Sequence, residues 1–304
     1  MPSASAVRRT PLAALAVLAV LPAVARAGAA PAPTGQIFDY RHNGGDQAVY
    51  DYKLSCRAQV KEVDGPNKAE AEISLQMKCL AEFLGDTASG DQGVRGEIAS
   101  GTLRVKGEGE DESLDLPELT VKYIISSRGR VKDASILSGD PPVLHFMGAV
   151  LIFGPEDAFL ASGVGEFPHR PLKKGDKWEG TEDIPNPVTG ESQKVSYKSV
   201  LVGEEKFQGA VCQKIKTTRS STFGGTIEDP QSGAAVHLKA KVSGEIVWLF
   251  DPQRKLIMSS QAKESISVTT RFELEGESRT AATSGVMNAR SVLTEYNGVP
   301  VTVK

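Results

Sequence analysis

The sequence is poor in the residues that enzymes and metal sites use. Its 304 residues include three cysteines and four histidines, and the histidines, His42, His145, His169 and His237, are far apart along the chain. The usual local signatures of hydrolases, metalloproteases, redox dithiols and phosphate-binding loops do not occur. A catalytic triad can still assemble from distant residues, so a secreted hydrolase is a third candidate function. The sequence predicts no catalytic residue, no metal site and no cofactor, which indicates a protein that is not an enzyme.

Apolar runs of membrane-spanning length are also missing after the first residues of the chain. The start has the three parts of a secretory signal: Arg8 and Arg9, an apolar run from Leu12 to Val24, and Ala25-Arg26-Ala27 as a cleavage site. We therefore predict a signal peptide at residues 1–27 and a flexible leader at residues 28–35. The protein is expected to be exported by the general secretory route. It would then be periplasmic or extracellular, without a transmembrane segment after cleavage.

An excess of basic charge is missing as well. Cleavage after residue 27 would remove three of the 35 lysines and arginines and none of the 38 acids, which leaves 32 basic against 38 acidic residues and a formal net charge of −6. This charge argues against nucleic acid and anionic membrane surfaces as partners. The most acidic segment, residues 107–113, does not have the spacing of a calcium-binding loop, so it is expected to be a solvated loop.

The sequence is rich in strict alternation of apolar and polar residues, which is the pattern of strands with one buried face. Residues 50–60 and 69–83 alternate on either side of the turn signal Asp64-Gly65-Pro66-Asn67, which predicts a long hairpin. Further strands are predicted at 98–106, 120–126, 194–202, 211–218, 236–242, 256–274 and 285–296, and the continuous apolar run at 246–250 predicts a strand covered on both faces. A straight strand over 256–274 would span about 60 Å, so we expect a bulge near Ser259 and Ser260. In that stretch Glu264 is the exception, because it falls on the apolar side.

These strands predict a mainly β fold with large curved antiparallel sheets, arranged as a half-barrel or a sandwich. Other parts of the chain must cover the apolar face of each hairpin, because an isolated hairpin is barely stable in water. The hairpin at Tyr123–Val131 is similar to that at Trp248–Leu256, which is compatible with two similar halves. We place the first β half, with a helical cover, at residues 36–165, and the second half, packed on the first, at residues 166–304.

Residues 141–165 break the alternation. The run Val143–Phe153 is apolar almost all round, and Gly154-Pro155-Glu156-Asp157 has the proline and the acids of a helix start. We therefore expect a short helical segment that covers the sheet. A membrane-surface helix is the alternative, but it would need a basic polar face, and this segment has no lysine or arginine.

Two of the three cysteines lie on the apolar faces of the first predicted hairpin. Cys56 and Cys79 are directly or diagonally opposite each other, depending on the length of the turn. In an oxidising compartment such a pair can form a disulfide, which would leave Cys212 as a buried thiol. The alternative is that all three cysteines are small core residues.

A fixed connector is predicted at Phe167–Trp178, near the middle of the chain. Pro168 and Pro171 restrict its backbone, and the turn at Gly175-Asp176 comes just before Trp178. We expect this segment to deliver Trp178 into a core.

The connector also carries a resemblance. Residues Phe167–Trp178 match the pattern Phe-Pro-x-x-Pro-Leu/Val-x-x-Gly-Asp-x-Trp, and so the chain resembles a group of uncharacterised secreted bacterial β proteins. In that group a tyrosine-rich strand lies near the mature start, as Tyr50 and Tyr52 do here. A Gly-x-x-Cys strand follows the motif, as Gly209–Cys212 does here. The resemblance implies an exported β-rich protein and carries over no activity and no site residue.

Two functions fit these features. The first is an exported non-catalytic β protein with a binding or envelope-structural role and an unknown partner. The second is a carrier of a lipid or another apolar ligand in a cavity of the curved sheet, by analogy of architecture with lipid carriers. The residues predicted to line such a cavity are Phe146, Met147, Leu151, Phe153, Trp178 and Trp248, although tryptophans are more commonly core residues. A cavity beside residues 141–165 would favour the carrier, and a solid core would favour the structural role.

Overall fold

The computed structural model describes residues 35–301 except for short segments at 64–67, 108–109, 140–142, 147–148, 153–165, 186–191, 229–234 and 275–276. The predicted signal peptide, residues 1–27, and residues 28–34 of the predicted leader lie outside the described residues. The described part consists mostly of strands and contains no helix. The predicted mainly β fold is confirmed.

The long strands coincide with the alternating stretches of the sequence. The first series comprises β1 (Gln47–Glu62), β2 (Lys68–Asp86), β3 (Gln92–Gly107), β4 (Glu110–Asp115), β5 (Leu119–Ile125) and β6 (Val131–Ser138). A short separate hairpin follows, with β7 (Val143–Phe146) and β8 (Ala149–Ile152). The second series comprises β9 (Lys177–Pro185), β10 (Ser192–Phe207), β11 (Ala210–Glu228), β12 (Ala235–Asp251), β13 (Leu256–Leu274), β14 (Glu277–Tyr296) and β15 (Val299–Pro300).

All of these strands except β7 and β8 form one antiparallel sheet. Its order is β6-β5-β3-β2-β1-β14-β13-β12-β11-β10-β9, with β4 beside β3 and β15 beside β14. The first series runs from the middle of the sheet to one edge, and the second series runs from the other edge back to the middle, where β1 pairs with β14. Cα atoms of the edge strands β6 and β9 come within 8 Å of each other. The sheet is therefore strongly curved.

Strand β13 contains the bulge expected from its length. Its partners on β12 shift register, since Leu249 lies opposite Ser259 whereas Phe250 lies opposite Ile257. Met258 is therefore the extra residue of the bulge, next to the predicted position. The bulge prediction is confirmed.

The two faces of the sheet differ in chemistry. We call the face that carries Leu54 of β1 and its partner Ala289 of β14 the inner face, and the face that carries Lys53 and its partner Arg290 the outer face. The inner face is mostly apolar and buried, and the outer face is mostly polar and exposed. Fully burying a large apolar side chain contributes roughly 1.5–3 kcal/mol, so the inner face supplies most of the stabilisation of the fold.

An aromatic cluster packs against one end of the inner face. It consists of Phe38, Tyr40, Phe167, Trp178, Trp248 and Phe250. Phe167, the first residue of the connector, is fully buried in its middle, with its ring centroid 4.9 Å from that of Phe38 and 5.7 Å from that of Trp248. Two backbone hydrogen bonds between Gln36 and Leu172, of 2.9 and 2.8 Å, hold the connector against the start of the described chain. The connector thus inserts Phe167 into the core, whereas Trp178 is half-buried and packs against the edge of the cluster.

The structure corrects the prediction of a helical segment at residues 141–165. Val143–Phe146 and Ala149–Ile152 pair as the hairpin β7–β8, and the helix start expected at Gly154 lies outside the described residues. A short apolar run has no periodicity that distinguishes a helix from a strand. The β-branched residues of this run favour the strand.

The structure also shows that the predicted disulfide between Cys56 and Cys79 is wrong. Cys56 lies opposite Ile73 in the β1–β2 hairpin, and Cys79 lies opposite Tyr50. Cys79 is six positions beyond Ile73, which is about 20 Å along the strand, whereas a disulfide needs Cα atoms within about 7 Å. Cys56, Cys79 and Cys212 are all buried, and none of them forms a disulfide. Alternation placed Cys56 and Cys79 on the same face but did not determine the register.

Candidate functional site

The middle of the inner face is not filled. Five small or apolar residues there, which we call the central patch, are only half-buried: Ala262, Ile266, Gly285, Met287 and Ala289. They lie on β13 and β14, in the centre of the sheet, whereas Leu54, Cys56 and Ala58 beside them on β1 are buried. Central strands are hydrogen-bonded on both sides, so solvent reaches these residues over the inner face. The inner face is therefore open at its centre.

The hairpin β7–β8 lies close to the two strands that carry the central patch. Cα atoms of β8 are within 8 Å of both β13 and β14. Each of those two strands already has a hydrogen-bonded neighbour on either side, so the hairpin approaches them over a face of the sheet and not at an edge. Its strands, Val-Leu-His-Phe and Ala-Val-Leu-Ile, contain no lysine, arginine or acid.

A buried ion pair lies beside the central patch. Arg219 of β11 and Glu264 of β13 are 7% and 0% exposed, and two parallel hydrogen bonds join them, from Nε to Oε1 at 2.5 Å and from Nη2 to Oε2 at 2.7 Å. The pair spans β12 at Gly244, which lies opposite both residues. A Cβ atom at Gly244 would overlap the Lys263 carbonyl and the Glu264 side chain. Glycine therefore leaves the space in which the two charges meet and neutralise each other on an apolar face.

A second group of polar residues holds the start of the connector. The backbone N–H of Glu166 donates to Glu182 Oε1 at 2.7 Å and to the Tyr197 hydroxyl at 3.1 Å, and Arg128 forms an ion pair with the Glu166 carboxylate. Burial raises the pKa of the Glu182 carboxyl and raises that of Tyr197 to about 12. These groups are bonded to each other, so they position the neighbouring Phe167 and do not form a free binding site.

Three polar atoms associated with the inner face have no hydrogen-bond partner in the described part of the chain. They are the hydroxyls of Thr270 on β13 and Thr283 on β14, and the indole N–H of Trp178 on β9. Thr270 is 0% and Thr283 is 4% exposed. Buried polar groups are normally paired, so these atoms are places where the inner face offers an unused hydrogen bond.

The residues predicted to line a cavity are only partly described. Trp248 is fully buried in the aromatic cluster and donates from Nε1 to Thr217 Oγ1 at 3.0 Å, and Trp178 is half-buried at the margin of the cluster. Phe146 belongs to β7 and Leu151 to β8. Met147 and Phe153 lie outside the described residues. That these six residues line a ligand site stays a prediction.

Among the histidines whose side chains the structure describes, His42 is the most enclosed by the fold. Its ring stacks on Phe83 with centroids 3.7 Å apart, and its Nε2 donates to the Lys255 carbonyl oxygen at 3.1 Å. Burial lowers the pKa of His42 to about 4. The neutral ring therefore fastens the segment before β1 to the turn between β12 and β13, which is a structural role.

The outer face has two open grooves, of about 970 Å³ across β9–β13 and about 770 Å³ across β12–β2. The hydroxyl side chains that line the first are Thr181, Ser196, Thr218, Ser220, Ser243 and Ser265. Lys198 and Glu179 in this groove pair with each other at 3.2 Å and are both largely exposed. Such grooves have the character of the solvated face of a sheet.

The described residues contain neither a cluster of metal-ligating side chains nor a long apolar helix. No three His, Cys, Asp or Glu side chains of the described chain come together as metal ligands would. No helix in that part of the chain has the length and apolarity to cross a membrane.

The chain was compared with known proteins. No model of a protein family matches it, and no curated protein does. One similar solved structure concerns lipid–protein interactions in lipovitellin; it is 12% identical, with a TM-score of 0.41, and the likeness covers 86% of this chain but only 26% of that one. Another is a DUF1329 family protein from Desulfovibrio piger, 13% identical with a TM-score of 0.18, covering 79% of this chain and 83% of that one. Both TM-scores are below 0.5, so neither likeness carries an argument about function.

Proposed function

We propose that this protein is an exported, non-catalytic carrier of a lipid or another apolar ligand, which binds against the inner face of the sheet. The observation that carries the proposal is the central patch. Its apolar residues occupy the middle of a curved sheet and stay half-exposed, whereas a solid core would bury them. This supports the carrier over a purely structural role.

The free energy of burying apolar surface favours the binding of an apolar ligand at the central patch. Apolar surface removed from water contributes about 25 cal/mol per Å², and binding sites for small apolar molecules are concave, mainly apolar and only sparsely polar. The inner face has this composition. Its largest charged feature, the pair of Arg219 with Glu264, is neutral as a unit and so does not repel an apolar molecule.

The hairpin β7–β8 is the proposed cover of the ligand. An uncharged hairpin over the outer face would have to desolvate charges such as Lys263 and Arg290, which is costly. Over the inner face it would instead extend the apolar surface around the ligand. We therefore place the hairpin on the inner side, at the border of the ligand site, because Cα atoms within 8 Å leave no room for a ligand between β8 and the parts of β13 and β14 that it contacts.

The test uses the processed chain, purified without detergent, and the apolar fluorophore diphenylhexatriene. We expect native mass spectrometry to detect co-purifying lipid, and the delipidated protein to bind the fluorophore with saturable enhancement of its fluorescence. Met287→Lys puts a charge into the central patch and should abolish binding. Val286→Lys is the matched control, because Val286 is the next residue on the same strand but lies on the outer face and is 44% exposed.

Circular dichroism and urea unfolding check that both variants keep the fold, and Ala289→Gln is a milder second change in the same patch. Wild-type protein that neither co-purifies with lipid nor binds the fluorophore would refute the carrier. It would favour the envelope-structural role instead. Equal loss of binding in the Met287 and Val286 variants would show that the ligand does not lie on the inner face.

A further inference from the structure

Three cations come together in the groove of the outer face that crosses β12–β2. Lys53 of β1 and Arg290 of β14 lie directly opposite each other, and Lys263 of β13, which is opposite Asn288, is diagonal to Arg290. All three side chains are exposed. Opposite residues have Cβ atoms about 4.5–5.5 Å apart and diagonal neighbours about 7–8 Å apart, so these long side chains can converge on one ligand group.

The acids next to the three cations do not balance their charge. Glu245 lies opposite Lys263, but its carboxylate pairs with Lys216 at 2.6 Å. Asp51 is two residues from Lys53 on β1 and lies opposite a further lysine on β2. Counted with these two lysines, five cations stand against two acids. The groove thus has a local charge of +3 in a chain whose net charge is −3.

Arg290 differs from the other arginines of the outer face. On the described strands, the others each form an ion pair with an acid: Arg57, Arg95, Arg104 and Arg271. Arg290 instead lies opposite Lys53 on one side and Gln261 on the other. Like charges directly opposite each other destabilise a sheet, so the contact of Arg290 with Lys53 does not stabilise the fold. Two cations placed in this way are suited to an anion that binds between them.

The chemistry of the groove favours a phosphate monoester over a carboxylate. A phosphate monoester carries close to two negative charges at pH 7 and has three acceptor oxygens, to which arginine and lysine are strong donors. A single carboxylate would leave most of the local charge without a partner. The uncharged polar side chains of the groove are amides and hydroxyls: Ser55, Ser74, Gln76, Gln261 and Asn288. They donate and accept hydrogen bonds, and so they are suited to the hydroxyl groups of a sugar.

We infer that this groove binds a small phosphorylated sugar, whose phosphate contacts Lys53, Lys263 and Arg290 and whose hydroxyl groups contact the amides around them. The volume of the groove, about 770 Å³, is in the range of small-molecule sites. The net negative charge of the chain disfavours an anionic membrane surface as the source of the phosphate, so the ligand is a soluble molecule. The site lies on the opposite face of the sheet from the central patch, and the inference does not depend on the proposed function.

The test is isothermal titration calorimetry of the processed chain with glucose 6-phosphate, inorganic phosphate and glucose at low salt. Glucose 6-phosphate should bind, inorganic phosphate should bind more weakly, and glucose should give no measurable heat. Arg290→Gln should weaken the binding of glucose 6-phosphate about tenfold or more, which is the loss expected for a hydrogen bond between charged groups. High salt should weaken it as well, because salt screens exposed charges.

Arg271→Gln is the matched control. Arg271 is an arginine of the same face that pairs with Glu273 at 2.7 Å and does not line the groove, so this variant has the same net charge as Arg290→Gln and should keep the wild-type affinity. Arg290→Gln should not lower the midpoint of urea unfolding, because it removes a contact between like charges. A loss of binding in this variant therefore does not come from a loss of the fold.

Three results would overturn the inference. The first is no binding of glucose 6-phosphate, or equal binding by the wild type and Arg290→Gln. The second is inorganic phosphate that binds as tightly as glucose 6-phosphate, which would show that the groove does not contact the sugar. The third is binding only to vesicles that contain phosphatidic acid, which would make the ligand a lipid head group. The carrier is tested separately, by the binding of diphenylhexatriene to the inner face.

Discussion

Breaking the pair of Arg219 and Glu264 should destabilise the protein far more than replacing both residues. In Glu264→Gln the side chain keeps its shape, but the guanidinium of Arg219 stays buried without a counter-charge. Removing one member of a buried pair typically costs 3–5 kcal/mol. Domains of this kind are stable by about 5–15 kcal/mol in total, so this one substitution should remove a large fraction of the free energy of unfolding.

The reciprocal variant Arg219→Met should be destabilised as well, because it leaves the carboxylate of Glu264 buried without a counter-charge. The double variant Arg219→Met/Glu264→Leu buries no charge, so its stability should lie within about 1 kcal/mol of the wild type or above it.

Urea unfolding measures these differences through tryptophan fluorescence, since Trp248 is fully buried. The control is Glu179→Gln, because the pair of Glu179 with Lys198 is 69% and 79% exposed and exposed pairs contribute little. A cost below about 1 kcal/mol for Glu264→Gln would refute the reasoning. A double variant as unstable as the sum of the two single variants would do the same.

Two further predictions concern His42 and Gly129. Burial lowers the pKa of His42 to about 4, whereas a histidine in the unfolded chain has a pKa near 6.5. As the pH falls, the unfolded chain therefore takes up this proton before the folded protein does. The free energy of unfolding should decrease by about 1–3 kcal/mol between pH 7 and pH 4. His42→Gln should remove that part of the pH dependence of urea unfolding, and identical curves for the two proteins would contradict it. Gly129 and Gly175 both have φ near +90°, so alanine is strained at either position. At Gly129 the new Cβ would also come within 2.5 Å of the Tyr40 ring, whereas at Gly175 it would meet no atom within 4 Å. Gly129→Ala should therefore lower the free energy of unfolding by about 1–3 kcal/mol more than Gly175→Ala. Equal urea midpoints for the two alanine variants would show that the contact with Tyr40 does not matter.

Alternation was a reliable guide to the strands and to their buried faces. The stretch at 50–60 became β1 with the expected residues inward, and the length of the stretch at 256–274 was enough to predict a bulge, which falls at Met258. Both inferences depend on local geometry, namely a period of two residues and a fixed rise per residue. Local patterns of this kind are fully present in the sequence.

Register and strand order were not predictable in the same way. The positions of Cys56 and Cys79 depend on where the β1–β2 turn is centred, and a shift of the turn changes every partner along the hairpin. The pairing of β1 with β14 joins opposite ends of the described chain, and no local pattern indicates it. The hairpin β7–β8 was missed because its short apolar run fits a helix and a strand equally well.

The inner face was partly predictable. Glu264 stood out as the one acid on an apolar face, but its partner Arg219 lies one residue beyond the strand predicted at 211–218. The pair also needs Gly244 between them, on a third strand, and its role appears only when the three strands are side by side. Thr270 and Thr283 were not predicted, because a threonine on an apolar face is ordinary in a strand until its hydroxyl is seen to lack a partner.

Because β1 pairs with β14, the sheet cannot be completed until the strand formed by residues 277–296 is in place. Until β14 has paired with β1, β1 has one unpaired edge, and the two ribbons of the sheet are not joined. Contacts between such distant parts of a chain form slowly, and a free strand edge promotes aggregation in the meantime. A chain that ends before Glu277 would therefore lose more than its last strand, because the seam that unites both ribbons would be gone.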